Sequence, residues 1–418
     1  MNKNTAFSAA DILLPDGGAM SQAWPVCACD QYTGEPAYWA ETARLVGERP
    51  STLRLILPEV YLEEPDVAAR IGQIRETMTQ YLDGGIFREY KNAMIYVERI
   101  QSDGKLRAGL VGKIDLEQYD YSRGSVSPVR ATEATVEERI PPRMRIRSGA
   151  ALELPHIMIL LDDAQKTVIE PLTAQKAAMQ QVYDIPLMQG GGAVRGWLVP
   201  QTAQTAVLDA LTALGEAFPE GTAPLVYAMG DGNHSLATAK ACYEAWKAAH
   251  PEADTENAPQ RYALVELVNL HSPALEFEAI HRILNEIDTD ALLKDMTAAL
   301  ELRTDAPAPQ AFETVIGEQT VRCYIHKPTS NLTVGSVQQF LDGWLKAHGG
   351  RIDYIHGADV VKRLAQAERS MGILLPDMQK SELFPTVMQD GALPRKTFSM
   401  GHAADKRFYM ECRRITEA

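Results

Sequence analysis

The residue types best suited to chemistry lie together in one short polar turn. In the stretch LVYAMGDGNHSLATAKACYEAW (225–246), an acid, an amide, an imidazole and a hydroxyl fall within five positions, at Asp231, Asn233, His234 and Ser235. Histidine has a reference pKa near neutrality, so His234 can act as a base or as a phosphate ligand. A helix cap needs only one polar residue, so this density favours a functional site. The alternative is a plain turn in which Asn233 caps a helix and His234 is an ordinary surface residue.

The residues on either side of the turn predict the elements that position it. Residues 225–229 are apolar and typical of a strand, and apolar residues recur at helical spacing from 236 to 246. The backbone N–H groups of 232–235 would then begin a helix, where they and the helix dipole favour a phosphate or a carboxylate. Gly230 and Gly232 allow such a ligand to approach the main chain.

Other polar residues are candidates for the same site. Arg395, Lys396 and Thr397 precede Ser399, and two cations beside two hydroxyls suit phosphate oxygens. A basic surface loop is the alternative for this segment. Asp30 follows an apolar stretch and begins a polar cluster that we expect at a strand end over the site. The alternative for Asp30 is a turn or cap residue.

Two histidines lie in or beside predicted strands. His281 and Arg282 follow an alternating apolar pattern, which places the pair where a strand ends. A surface pair with no special role is the alternative. His156 begins the apolar run 156–161 and is interpreted as a hydrogen-bonded residue of the core.

Helical and strand periods alternate along the chain, which predicts an α/β (mixed α+β) fold with mixed sheets. Strands are predicted at 51–57, 93–99, 105–114 and 156–161, and a helix is predicted at 67–81. Asp103-Gly104 is a hairpin signal, so the strands on either side of it are expected to pair in antiparallel fashion. Two lobes, 1–205 and 206–418, are predicted.

At the polar turn the chain resembles a known family. The string GDGNHSLATAK is similar to the D-G-H-H-R-Y-x-T-A signature of the bacterial family called domain of unknown function 1015. That signature in turn resembles the phosphate-binding turn of the ParB and sulfiredoxin-like superfamily, which includes free serine kinases. Asn233 stands in place of the usual first histidine, and Ser235 in place of the usual arginine. Loss of that arginine removes a bidentate phosphate clamp.

The resemblance to the longer branch of the family extends along most of the chain, so that residues 1–418 are predicted to form a single family-wide unit. The segments that carry it, besides the turn, are ACDQYTGEPAYW (28–39), STLRLILPEVYLE (51–63), RATEATVEERIPPR (130–143), LELPHIMILLDD (152–163), YDIPLMQGGGAVRGWL (183–198), the pair at 281–282, and LPRKTFSMGHA (393–403).

Three charged residues lie in the segment that resembles the family at 130–143. Arg130 or Arg139 can replace the guanidinium that is missing at position 235, and Glu133 can act as a base or a metal ligand. A solvated ion pair between these residues is the alternative.

The resemblance implies a small-molecule phosphoryl-transfer enzyme with a ParB/sulfiredoxin-like strand-turn-helix phosphate site. The most concrete form is a nucleotide-dependent kinase of a free hydroxy amino acid such as serine, using Mg²⁺ and ATP or ADP. In this scheme Asp231 or Glu133 is a base or magnesium ligand, and His234 binds phosphate or relays a proton. Arg139, Arg282 and Lys396 neutralise developing charge. The alternative is a regulatory protein that binds a nucleotide or a phosphorylated metabolite without turnover.

Composition narrows the classes of partner. The 418 residues carry a net charge of −14, which repels polyanions, so nucleic acid and anionic membrane surfaces are not expected partners. DNA segregation by analogy with ParB is disfavoured for the same reason. The odd number of five cysteines and the lack of a secretion signal or an apolar span predict a cytoplasmic protein. The expected partner is a small phosphorylated metabolite or a nucleotide.

Overall fold

The computed structural model describes residues 5–133, 135, 137–154, 156–401, 403–406 and 410–416. His402, in the last segment that resembles the family, lies outside the described residues. The chain divides into two compact units. Unit 1 comprises Met1–Ala131, Thr135–Leu275 and Gly401–Ala418, and unit 2 comprises Thr132–Ala134 and Glu276–Met400. These units differ from the predicted lobes 1–205 and 206–418 because strands from both sides of position 205 pair in one sheet.

The strands are numbered in chain order. They are β1 (Phe7–Ser8), β2 (Ala10–Pro15), β3 (Phe87–Ala93), β4 (Ile95–Ile100), β5 (Leu106–Asp115), β6 (Tyr119–Asp120), β7 (Val129–Arg130), β8 (Leu152–Glu153), β9 (Met158–Leu161), β10 (Gln180–Pro186), β11 (Ala193–Leu198), β12 (Tyr227–Asp231), β13 (Tyr262–Asn269), β14 (Phe277–Asn285), β15 (Leu302–Arg303), β16 (Gln310–Ile316), β17 (Gln319–Ile325), β18 (Arg351–His356), β19 (Met371–Leu374), β20 (Phe398–Met400) and β21 (Arg413–Arg414).

The α-helices are α1 (Pro36–Val46), α2 (Val67–Asp83), α3 (Ile140–Arg147), α4 (Glu170–Gln175), α5 (Gln201–Glu216), α6 (Asn233–Ala249), α7 (Thr289–Leu300), α8 (Thr333–His348), α9 (Ala358–Leu364) and α10 (Lys380–Asp390). Short 3-10 turns lie at Gly17–Ala19, Thr52–Arg54, Glu59–Tyr61, Leu116–Gln118, Glu137–Arg139, Lys176–Ala178, Pro259–Arg261 and Ala403–Asp405.

Unit 1 is built on a mixed sheet. Its strand order is β10-β11-β4-β5-β13-β9-β12-β7-β6, and β1 pairs with β5. Most neighbours are antiparallel, but β9 with β13, β7 with β12 and β6 with β7 are parallel. Because side chains alternate along a strand, Tyr96 of β4 packs in one core with helices α5 and α6. Val97 lies on the other face, in the core to which α2 contributes.

Unit 2 has a sheet of its own. The strand order is β15-β17-β16-β19-β14-β18, and β20 pairs with the first part of β14. The predicted mixed α/β fold class is therefore confirmed. The predicted helix is present as α2, and the predicted hairpin is formed by β4 and β5, with Gly104 at a φ of 84° in the turn between them.

The predicted strand at 51–57 is wrong. Ser51 Oγ accepts a hydrogen bond of 3.1 Å from the Leu53 amide, which begins the 3-10 turn Thr52–Arg54. Leu55 and Leu57 are nevertheless buried. An apolar run that is buried on all sides is not distinguished from a strand by its periodicity, which explains the error.

A buried ionisable group lies under the unit 1 sheet. Glu411, in the segment that precedes β21, accepts a hydrogen bond of 2.6 Å from Tyr183 of β10 through Oε1. Its Oε2 atom is buried and has no hydrogen-bond partner among the described residues. Burial raises the pKa of the Glu411 carboxyl to about 7, more than the hydrogen bond from Tyr183 lowers it.

We expect Glu411 to make unit 1 less stable as pH rises. The folded pKa of about 7 exceeds the ordinary value of 4.5. The stability that the Glu411 carboxyl contributes is therefore fully present below pH 4.5 and is lost as pH rises through about 7. The free energy of unfolding should fall by about 3 kcal/mol across this range. Urea unfolding of Glu411→Gln should lack this fall.

The matched control is Glu252→Gln, since Glu252 is exposed. That variant should keep the pH dependence of the parent protein. A Glu411→Gln protein whose stability follows the same pH curve as the parent would show that the carboxyl does not titrate in this range.

Candidate functional site

The predicted strand-turn-helix is present in unit 1, with a shorter turn than expected. Gly230 and Asp231 belong to β12, Gly232 has a φ of 81°, and helix α6 begins at Asn233. A Cβ atom at Gly232 would lie 3.1 Å from the Ile157 Cα atom, so the turn fits closely against the start of β9. Only glycine combines this φ with this approach.

Three polar side chains lie at the start of α6: Asp231, Asn233 and Ser235. Ser235 Oγ lies 3.2 Å from Nε2 of His156. The Asp231 carboxylate accepts a hydrogen bond of 2.9 Å from the Gly232 amide and lies 3.3 Å from the Lys406 ammonium. The side-chain oxygen of Asn233 is buried without a hydrogen-bond partner among the described residues. A phosphate oxygen cannot donate to it, so Asn233 would need a protonated or hydroxyl-bearing partner.

Asp30 joins this group from the amino-terminal part of unit 1. The Ala28 amide donates a hydrogen bond of 2.8 Å to the Lys406 carbonyl, which fixes the Asp30 loop beside the 403–406 segment. Burial tends to raise the pKa of the Asp30 carboxyl. The influence of His156, a 3.0 Å hydrogen bond from Gln31 and the charge of Lys406 together lower it, so Asp30 is ionised at neutral pH.

A second carboxylate lies near Asp30. The Glu59 amide donates to the Cys29 carbonyl at 2.8 Å, and the Glu59 side chain forms a salt bridge with Arg143 of α3. Burial raises the pKa of the Glu59 carboxyl. Arg143 lowers it and the charge of Asp30 raises it, and the net shift is upward even though Arg139 also opposes it. Two acids with opposite pKa shifts are typical of acid–base sites.

Cys29 is close to both of these acids but is not a suitable nucleophile. Burial raises the pKa of its thiol well above the ordinary value, and the charges of Asp30 and Glu59 raise it further. The thiolate, which is the reactive form, is therefore disfavoured.

Some predicted residues of unit 1 do belong to this group. Arg139 is close enough to Glu59 to lower the pKa of the Glu59 carboxyl. The main-chain carbonyl of Arg139 accepts a 2.9 Å hydrogen bond from Arg143. His234 lies in the first turn of α6, and its carbonyl accepts from Thr238 at 2.7 Å. Arg130, by contrast, is buried and donates to the carbonyls of Ser127, Ala223 and Pro224. The hydrogen bonds of the Arg130 side chain therefore join the main chain at Ser127 to the main chain at 223–224.

The remaining predicted residues lie in unit 2. His281 and Arg282 are within β14, which continues to Asn285, so the expectation that a strand ends at this pair is wrong. His281 accepts a 3.2 Å hydrogen bond from the Leu375 amide, and burial lowers the pKa of its ring. The guanidinium of Arg282 donates to Gln338 at 3.0 Å and to the carbonyls of Arg395 and Lys396.

The hydrogen bonds from Arg282 to the carbonyls of Arg395 and Lys396 hold the 395–397 segment in place. Arg395 is exposed and pairs with Asp342 at 3.0 Å, whereas Thr397 is buried and donates to the Pro394 carbonyl at 2.6 Å. Lys396 is exposed with a φ of 56°. The main chain of Glu133 pairs with that of Leu393 in an isolated parallel β-bridge. Burial lowers the pKa of Arg282, and the charge of Glu133 is near enough to oppose that shift. The structure thus collects the predicted residues into two groups, one in each unit.

Sequence reasoning missed three residues of the unit 1 group: Glu59, His156 and Lys406. Glu59 lies in the segment 51–63, and the resemblance of that segment to the family is the sequence feature that could have identified it. His156, predicted to be a core residue, is only half-buried and precedes β9. Lys406 is close to Asp231 only through the tertiary fold.

The described residues limit two kinds of site. No group of three or more His, Cys, Asp or Glu side chains suited to a metal ion is found among them. Within the same described part of the chain, no helix has the length and apolar character that a membrane crossing requires.

The fold and site define a mixed α/β protein whose glycine turn and helix start are surrounded by acids and cations. The chain belongs to the family described as "Protein of unknown function (DUF1015)", whose model matches residues 14–344. No curated protein matches the chain.

Several solved structures are similar to parts of the chain at low identity. SbnI with a C-terminal truncation, from Staphylococcus aureus, has a TM-score of 0.37 and 8% identity, over 70% of this chain and 82% of its own. A conserved hypothetical protein from Pyrococcus furiosus has a TM-score of 0.36 and 12% identity, over 69% and 90%. A free serine kinase in complex with AMP has a TM-score of 0.37 and 11% identity, over 69% and 86%.

We expect Gly232→Ala to damage the site and to destabilise unit 1. The substitution adds a Cβ atom 3.1 Å from Ile157 at a φ of 81°. The strain and the close contact should lower the free energy of unfolding by about 1–3 kcal/mol. Chemical denaturation measures this effect.

Gly72→Ala serves as the control, because Gly72 lies in α2 with nothing within 4 Å of the added atom. That variant should be as stable as the parent or about 1 kcal/mol more stable. Unchanged stability in Gly232→Ala would contradict the close fit of the turn.

Proposed function

We propose that the protein is a small-molecule phosphotransferase that uses a nucleotide. The observation that carries the proposal is the meeting of two acids with opposite pKa shifts, Asp30 and Glu59, with the Lys406 cation and the start of α6. Phosphoryl transfer depends mainly on positioning and on charge stabilisation, and this group supplies both.

The start of α6 would hold the phosphate groups. Helix α6 begins at Asn233, and the N–H groups and the dipole at the start of a helix favour an anion there. Lys406 and Arg139 would neutralise negative charge, and His156 beside Ser235 would donate to a phosphate oxygen. These cations supply the charge lost where serine replaces the family's usual arginine.

Glu59 would act as the general base toward a hydroxyl group. Its raised pKa brings the carboxyl closer to neutrality, where a base works best, while Arg143 holds its orientation. In the proposed step the Glu59 carboxylate takes the hydroxyl proton, the hydroxyl oxygen bonds to phosphorus, and the bond to the nucleotide oxygen breaks. The resemblance of the turn to that of free serine kinases makes a free hydroxy amino acid such as serine the first substrate to test.

The acids around the turn also fit a magnesium ion. Mg²⁺ is usually held by one or two carboxylates together with substrate phosphates, so a larger cluster is not required. Asp30, whose pKa is lowered, would be the ligand, with Asp231 held in its pair with Lys406. Bound there with ATP or ADP, the ion would neutralise phosphate charge.

The test is phosphorylation of free serine by the purified chain with Mg²⁺ and either ATP or ADP. Glu59→Gln should lower kcat about 10²–10⁴-fold, as expected for loss of a general base, with nucleotide affinity little changed. Asp231→Asn and His234→Ala should lower turnover as well. Phosphoserine and the nucleotide product are quantified by mass spectrometry.

Glu63→Gln is the matched control, because Glu63 is an exposed acid four positions after Glu59. It should turn over at the parent rate. Full activity in Glu59→Gln would exclude the proposed base. Tight nucleotide binding without a phosphorylated product, over a panel of hydroxylated small molecules, would instead support the regulatory alternative.

A further inference from the structure

Two tyrosine rings are stacked on the loop that carries Asp30. The centroids of Tyr32 and Tyr38 are 3.7 Å apart, and their planes are 14° from parallel. Both side chains are half-buried, so part of the pair remains open to solvent. Trp39, which is buried, meets Tyr38 edge-on at 5.5 Å.

The rings are held in place by the main chain around them. Tyr32 has a φ of 53°, in the left-handed region that disfavours residues with a side chain, and its carbonyl accepts a 3.1 Å hydrogen bond from Glu35. On the α1 side, Thr42 donates to the Tyr38 carbonyl at 2.8 Å and to Gln189 at 3.0 Å. The platform is therefore fixed before any ligand binds, which reduces the entropic cost of binding.

The platform lies next to the proposed phosphate site. Tyr32 is two residues after Asp30, so their Cα atoms are at most about 7 Å apart. Asp30 in turn is close enough to His156 and Lys406 for both to influence its carboxyl. One loop thus joins an aromatic surface to the group around the start of α6.

We propose that Tyr32 and Tyr38 form the platform on which the nucleotide base stacks, while the phosphates bind at the start of α6. This inference rests on the proposed function and assigns the part of the site that recognises the base. A flat, half-exposed ring beside the proposed phosphate site fits a nucleotide, since a nucleotide joins a base with a π face to a chain of phosphates. Free phosphate or pyrophosphate would use only the α6 end.

The experiment compares ADP with inorganic pyrophosphate by calorimetry, using the parent chain, Tyr32→Gly and Tyr32→Phe. Stacking on an aromatic side chain contributes about 1–3 kcal/mol per base, so Tyr32→Gly should bind ADP at least about 5-fold more weakly. Its affinity for pyrophosphate should not change. Tyr32→Phe keeps the ring and should bind ADP like the parent.

The glycine variant is chosen because it suits a φ of 53°, so its fold should be retained. Tyr324→Ala, at a half-buried tyrosine of unit 2, is the control and should leave both affinities unchanged. Unchanged ADP binding in Tyr32→Gly, or an equal loss of ADP and pyrophosphate, would overturn the base platform and leave the phosphate site standing. If the parent binds neither ligand, both the proposed function and this inference fail.

Discussion

The candidate site depends on the close contact between Gly232 and the main chain at Ile157. A Cβ atom at this point would lie only 3.1 Å from the Ile157 Cα atom, because α6 begins directly beside the start of β9. That contact brings His156, which precedes β9, within hydrogen-bonding distance of Ser235 in the first turn of α6. The strands around it, β9 between β12 and β13, keep the approach fixed through their pairing. A looser turn would separate the imidazole from the helix start.

Charge is distributed so that neighbouring groups behave differently. Asp30 and Glu59 are both carboxylates in a partly buried region, yet the pKa of the first is lowered and that of the second is raised. Burial raises the pKa of both carboxyls. At Asp30, His156, the hydrogen bond from Gln31 and Lys406 together outweigh burial. At Glu59, burial and the charge of Asp30 outweigh the salt bridge with Arg143. The chain has a net charge of −14, yet the cations Lys406 and Arg143 lie beside the acids of this group.

The parts of the site that are local in sequence could be predicted. The β12 strand, the glycine turn and α6 follow from an apolar run, a glycine and a helical period within one continuous stretch, and the hairpin of β4 and β5 follows from Asp103-Gly104 in the same way. Lys406 could not be predicted, since it is far from Asp231 in sequence and reaches it only through the tertiary fold. Arg130 and Arg282 are cations whose donors turn toward main-chain carbonyls, and residue type does not reveal that direction.

The placement of the 401–418 segment has a consequence for synthesis of the protein. This segment follows unit 2 in the chain but belongs to unit 1, where Lys406 pairs with Asp231, Glu411 with Tyr183 and Arg413 with Glu153. On the ribosome, the large sheet of unit 1 can therefore begin to form early, but its charged interior stays incomplete while unit 2 is translated. Lys406 therefore reaches Asp231 at the candidate site only after both units have been translated.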